Sequence, residues 1–372
     1  MSLPARAALA VCLAAAACTG EAGPGDALST PERMALTVNA SFDHASGSYS
    51  VVDLDTLGAV PDILAVSPDA VAACSDQGIF VVQRLGWDSM VLVDDEAPFG
   101  IRAEHSLGTG SNPQGLIGLP GGDLLATLLG RDFLLAVDPS TGEETGRVDL
   151  SWAADGDGLP EASLVARAGD LVAVALQRLD RTTPLWDPSG PGWLVVVDPD
   201  GLGIVDADPS TGEPDGIVLT GANPSPYGRM AWNGSRLLVP LTGLYGELDG
   251  GIESVDLELF RAEGYIVTEE ELGGDLTDFV IAGEHLAYAT VSSPEGTDLL
   301  VRFDPVAGRA EDEPVLVGRP FTLLQVQITS RGELLVVNRD LEESGLDVLD
   351  AATGAFVTRV AVGMAPFSVC VP

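Results

Sequence analysis

From residue 34 to the end, the chain alternates short apolar runs with turns rich in Gly, Asp, Asn and Ser. Runs this short, bounded by turn residues, predict β-strands rather than helices. One unit is plain: GLIGL at 115–119, DLLATLL at 123–129, DFLLAVD at 132–138 and TGRVDL at 145–150, joined by PGG, GR and STGE turns. Similar four-strand units fall at 162–219, 226–270, 276–318 and 321–361. A weaker one at 61–95 has strands at 63–66, 71–75, 79–84 and 90–93. In the 162–219 unit, 193–198 and 203–208 both read as the third strand, so either that strand is bulged or a hairpin is inserted. At the front, 34–40 and 48–54, with a short outer strand near 59–61, lack an inner strand, while 366–371 has no following partner. An unpaired apolar strand is an open hydrogen-bonding edge. The expectation is therefore an all-β, seven-bladed β-propeller over 34–372, its ring closed by pairing of the N- and C-terminal strands.

An apolar residue followed by Asp and a turn recurs at Val52-Asp53, Val137-Asp138, Val197-Asp198, Val255-Asp256, Phe303-Asp304 and Leu349-Asp350; Val82-Gln83 takes this slot in the weaker unit without the acid. DPSTGE occurs at 138–143 and again at 208–213. An Asp in this place accepts backbone N–H groups two residues on and nucleates the turn. The stretch LDVLDAATGAFVTRVAVGMAPFSVCV, 346–371, resembles the YVTN-type propeller repeat: apolar strand, Asp, TG turn, strand, Val-Gly, Pro, apolar strand. Val317-Gly318-Arg319-Pro320 repeats part of it, and Asn112-Pro113 and Asn223-Pro224 are looser echoes. The resemblance implies a cell-surface or periplasmic propeller. Related propellers include lactonases and dehydrogenases, but none of their catalytic motifs stands in this sequence, so the resemblance carries over no catalytic residue.

The N-terminus has an export layout: Arg6, a small-residue apolar core at 7–17, then Cys18. Ala15-Ala16-Ala17-Cys18 resembles the bacterial lipobox, with Ala15 where that family usually has Leu. This implies a signal peptide over 1–18, lipidation of Cys18, and a Gly/Pro-bearing tether over 19–33; cleavage without lipidation is the alternative. The expected location is outside the cytoplasm, as a membrane-anchored lipoprotein in the periplasm or on the outer-membrane surface. Loss of Cys12 with the signal leaves Cys74 and Cys370 as a pair, either disulfide-bonded or two buried thiols.

Charge narrows the partners. There are 56 acidic residues against 18 basic ones, all Arg, for a net charge of −38. Such a surface repels nucleic acid. Membrane contact is expected only through the lipid, the partner is expected to be an envelope protein or a glycan, and the chain is expected to be a monomer.

Blade topology sorts the connections between two ends. One end carries the long ones, read at 41–47, 96–112, 151–161, 178–192, 242–250 and 339–344; the other carries turns such as 120–122, 168–169, 233–235, 282–284 and 331–332. Rigid scaffolds place recognition on long loops. The candidate ligand-binding residues there are His44, Arg178, Asp180, Arg181, Trp186, Tyr245, Asn338 and Arg339, accompanied by Glu247 and Asp340. Arg suits carboxylate or sulfate, and Trp and Tyr suit sugar or aromatic faces, although Arg among many acids commonly forms surface ion pairs. No cofactor is expected other than calcium, for which two acidic stretches are candidates: Asp155-Gly156-Asp157-Gly158, and the group Asp198, Asp200, Asp206, Asp208, Glu213 and Asp215. His44, His105 and His285 lie far apart without zinc-ligand spacing, and there is no GxSxG elbow, phosphate loop or CxxC. These features favour a non-catalytic binding or scaffold module. The alternative is a periplasmic or cell-surface hydrolase or lactonase with calcium on the axis, which requires converging carboxylates at the channel mouth.

Overall fold

The computed structural model describes residues 30–184, 186–211 and 214–372. Seven antiparallel blades surround an axis, and one extra two-stranded ribbon, Leu179–Asp180 with Asp187–Pro188, stands in a loop. The chain is a seven-bladed propeller. Its first blade is built from both termini: Pro366–Cys370 is innermost, followed outward by Met34–Ala40, Gly47–Asp53 and Gly58–Val66. The closing register sets Leu36 opposite Cys370 and Val38 opposite Ser368, with a bulge before Asn39. A disulfide joins Cys74, on the inner strand of blade 2, to Cys370, on the inner strand of blade 1, across 296 residues of sequence.

The strands are near-continuously apolar because both faces of each blade are buried. Successive side chains point to opposite faces, so Leu36 and Val38 pack against blade 2 while Ala35 packs against blade 7. Seven hydrophobic layers result, one between each neighbouring pair of blades, dominated by Leu, Val and Ala.

Blade 2 departs from the sequence reading. Its strands are Ala70–Ser75, Gly78–Gln83, Ser89–Val93 and Ile101–Ser106. Residues 63–66 belong to the outer strand of blade 1, and 101–106 form an outer strand where a long loop was expected. The sequence Ile-Arg-Ala-Glu-His-Ser carries little apolar signal because it is an outer strand with largely exposed side chains. The seventh apolar-Asp slot is accordingly Val93-Asp94 rather than Val82-Gln83, and the Asp94 carboxylate accepts Arg102 Nε–H at 3.0 Å. In blade 4 the third strand is Trp193–Asp198, and its outer strand comes in two pieces, Gly203–Val205 and Ile217–Val218. Residues 30–33 of the expected tether already touch the wheel: Arg33 pairs with Glu333 at 2.6 Å and with Asp55 at 3.2 Å. The signal-peptide and lipidation expectations at 1–18 lie outside the described residues.

Candidate functional site at the long-loop end

The repeat's acids are committed to their own turns. Asp53, Asp138, Asp256 and Asp304 each accept two successive backbone N–H groups, as from Ser140 at 2.7 Å and Thr141 at 3.1 Å. Hydrogen bonds to the ionised form hold Asp138 and Asp350 below the usual carboxylate range. All these turns lie at the short-turn end.

At the opposite end, Phe367 of the closing strand marks the channel mouth. The Arg84 and Arg339 guanidinium carbons lie 5.7 and 5.3 Å from its ring centre, reaching it from blades 2 and 7. His44 meets the same ring edge-on at 6.3 Å, and Tyr227 does so at 6.1 Å. Tyr227 precedes blade 5, on the far side of the ring, so the Tyr227–Phe367 contact lies over the axis. Arg84 is neutralised by Asp69 and also donates to Gln114 Oε1 at 3.3 Å. Arg339 is 6% exposed. It donates to the Ala365, Pro366 and Ala40 carbonyls at 3.2–3.4 Å, and its guanidinium also lies 5.6 Å from the Phe42 ring. Its hydrogen bonds run only to main-chain carbonyls, and no carboxylate among the described residues is within ion-pair reach of it. Burial lowers its pKa from the ordinary arginine value.

Below the mouth, a channel of about 280 Å³ is lined mainly by Val, Ala, Leu, Ile and Ser, with Gln114, Gln325, Gln327 and Arg229 as its larger polar groups. Its described lining contains no carboxylate. Arg229 braces the wheel across it, donating to Val326 O at 2.7 Å, Val369 O at 3.0 Å and the Gln327 side chain, and pairing with buried Asp278 at 2.8 Å.

The other candidate residues form separate groups. Arg181 Nε donates to buried Glu161 at 3.0 Å and lies 3.6 Å from Asp157, with its guanidinium 4.9 Å from the exposed Trp186 ring. Asp155, Asp157 and Glu161 bring carboxylate oxygens within 4.8 Å of one another, but Arg181 already supplies a cation to this group. Burial pushes Glu161 up to about 7. Asp180 accepts the Thr182 N–H and hydroxyl and closes a turn. Arg178 stacks on Trp193 at 4.4 Å, and its buried Nε has no acceptor. Asn338 is buried, bound to Asp347 at 2.8 Å. Tyr245 stacks on Phe321 at 6.3 Å, both exposed. Of the second acidic group, Asp198, Asp206 and Asp208 take turn N–H groups, and Glu213 lies outside the described residues.

Sequence reasoning therefore reached His44 and Arg339 at the mouth but missed Arg84, Phe367, Tyr227 and Phe42. Arg84 follows the second strand of its blade just as Arg339 does, and the one-strand slip in blade 2 hid that equivalence.

No family model and no curated protein matches the sequence. Solved structures do. A provisionally assigned 6-phosphogluconolactonase from Bacteroides fragilis matches with TM-score 0.61 at 13% identity, over 93% of this chain and 100% of that one. A functionally unknown protein from Desulfotomaculum acetoxidans matches with TM-score 0.58 at 13% identity, over 91% and 98%. Dihydro-heme d1 dehydrogenase NirN matches with TM-score 0.54 at 17% identity, over 93% and 76%. They share the propeller fold. At these identities the likeness extends to the fold alone.

Proposed function

We propose that this is an exported, lipid-anchored, non-catalytic propeller of YVTN type whose long-loop end docks an envelope protein or glycan. The observation that carries this reading is the distribution of exposed rings. Of the seven exposed aromatic side chains among the described residues, six (Phe42, Trp87, Trp186, Tyr227, Tyr245 and Phe321) stand at the long-loop end, and only Phe356 does not. Aromatics of this kind dominate recognition surfaces, because they bury large area at low entropic cost. A calcium-dependent hydrolase on the axis has less support, since the channel's described lining lacks carboxylates and Asp278 is held by Arg229.

The test is cross-linking capture from envelope extracts with the purified chain, wild type against a Trp87→Ala/Tyr245→Ala/Phe321→Ala variant and a Phe356→Ala control. The expected result is a specific partner or glycan lost with the rim variant and kept with the control. Equal capture by all three sinks the docking face. For the anchor, the expected result is that Cys18→Ala moves the protein from the membrane fraction to the soluble fraction. Calcium and chelator should leave the melting temperature unchanged; a rise of several degrees with calcium would revive the hydrolase reading.

A further inference from the structure

We propose that the mouth takes the carboxylate of an acidic sugar, a glycan unit carrying a single uronic-type carboxyl group, with Arg339 as its ion-pair partner. This rests on the docking-face reading above and specifies its ligand.

The starting point is Arg339. In a chain with 56 acidic residues, this arginine is 6% exposed as a residue and has no carboxylate within ion-pair reach among the described residues. Its bonds run only to three main-chain carbonyls, at 3.2, 3.2 and 3.4 Å. A buried cation is ordinarily matched by a buried anion, because carbonyl dipoles replace only part of its hydration. The other strongly buried guanidinium of the mouth follows that rule: Arg84 has Asp69. Among the described residues around Phe367, Arg339 therefore carries a charge without a carboxylate partner, and an anion arriving from outside completes it. Guanidinium and carboxylate match as a two-point pair.

The surroundings select the rest of the ligand. Phe367, covered by Arg84 and Arg339, and the exposed Phe42 flank Arg339, and the exposed His44 stands 6.3 Å from Phe367, while the Gln114 amide is held by Arg84 and Asn112. The exposed Phe42 face and the His44 imidazole suit the C–H face and a hydroxyl of a pyranose. The overall charge of −38 disfavours an acidic peptide or a polyanion, whose several charges meet that field at once. A single carboxylate on a neutral glycan meets it once.

The experiment measures binding of the full chain, by calorimetry, to a panel of aldobiouronic acids (one uronate on one neutral sugar) and to their neutral methyl esters. Acidic peptides of similar size form a third arm. The expected result is saturable binding of at least one acid, weakened tenfold or more on methyl esterification and similarly by Arg339→Gln. Because that variant removes a buried brace and could misfold, Phe42→Ala and His44→Ala provide a second series that leaves the guanidinium in place. Both should weaken the acid by several-fold at unchanged melting temperature. Equal binding of acid and ester overturns the carboxylate assignment. Preference for the peptides, or no binding of any sugar acid while the capture experiment still shows a rim-dependent partner, overturns the sugar assignment and leaves the docking face standing. No binding of either kind removes both.

Discussion

The two ends of this propeller use polar chemistry in opposite ways. At the short-turn end the repeated acids fold back on their own turns, and the pKa values of Asp138 and Asp304 are held low, chiefly by the Ser140 side chain at Asp138 and by backbone N–H groups at Asp304. At the long-loop end the repeat breaks down. There a buried arginine lacks a carboxylate, two buried glutamates are pushed up to about 7 and about 8, and rings stand exposed. The lesson is that the most visible motif marks scaffold. The proposed recognition surface lies where the blades stop resembling one another, since a turn that must satisfy its own backbone has no groups left to offer a ligand.

The largest effect that would test this contrast concerns the ring that holds both ends. Cys74→Ser/Cys370→Ser is expected to lower stability by about 2–5 kcal/mol, read as a fall in the denaturant midpoint that reducing agent reproduces in the wild type. Deletion of 366–372 should abolish cooperative unfolding, since it removes the inner strand of blade 1 and the carbonyl of Val369 that braces Arg229. A stable, cooperative truncation would show that closure matters little.

Next comes the dependence on pH. Burial raises Glu161 to about 7 and Glu269 to about 8 from an ordinary value of 4.5. The folded chain therefore keeps protons that the unfolded chain releases near pH 4.5. The stability these groups contribute is complete below that pH and is lost as pH rises through 7 to 8. The turn acids run the other way: Asp138 and Asp350 are lowered, so their contribution is present above the ordinary Asp value and disappears on acidification. The melting temperature should peak near pH 5 and fall on both sides. Glu269→Gln should flatten the alkaline limb, with about 3–4 kcal/mol at stake between pH 5 and 8. A flat profile for wild type would contradict the assigned burial effect.

The smallest effect separates the ends most cleanly. Asp138→Ala, in a short turn, should cost about 1 kcal/mol by removing the carboxylate oxygen that accepts the Ser140 and Thr141 N–H groups and the Ser140 hydroxyl and leave partner capture unchanged. Tyr245→Ala should do the reverse, weakening capture with little change in melting temperature. If the turn variant impaired capture, the division of labour between the ends would be wrong.

Much of the architecture was legible along the chain because a strand buried on both faces must be apolar throughout. The runs at 124–128 and 133–137 leave little else for the chain to form. The closing pair was legible too, because 366–370 had no sequence neighbour to take its edge. Blade 2 misled for the complementary reason: its outer strand, Ile101–Ser106, is exposed and so lacks the pattern that marks a strand.

The sequence by itself determined the kind of wheel and the number of its blades, since strand burial and turn chemistry are local and repeat in register. Only the tertiary structure decided the pairing of Cys74 with Cys370, and the meeting of Phe367 with Arg84, Tyr227 and Arg339, residues drawn from four different blades. Such a mouth has no sequence signature, because closure of the ring, rather than proximity along the chain, sets the distances between its side chains.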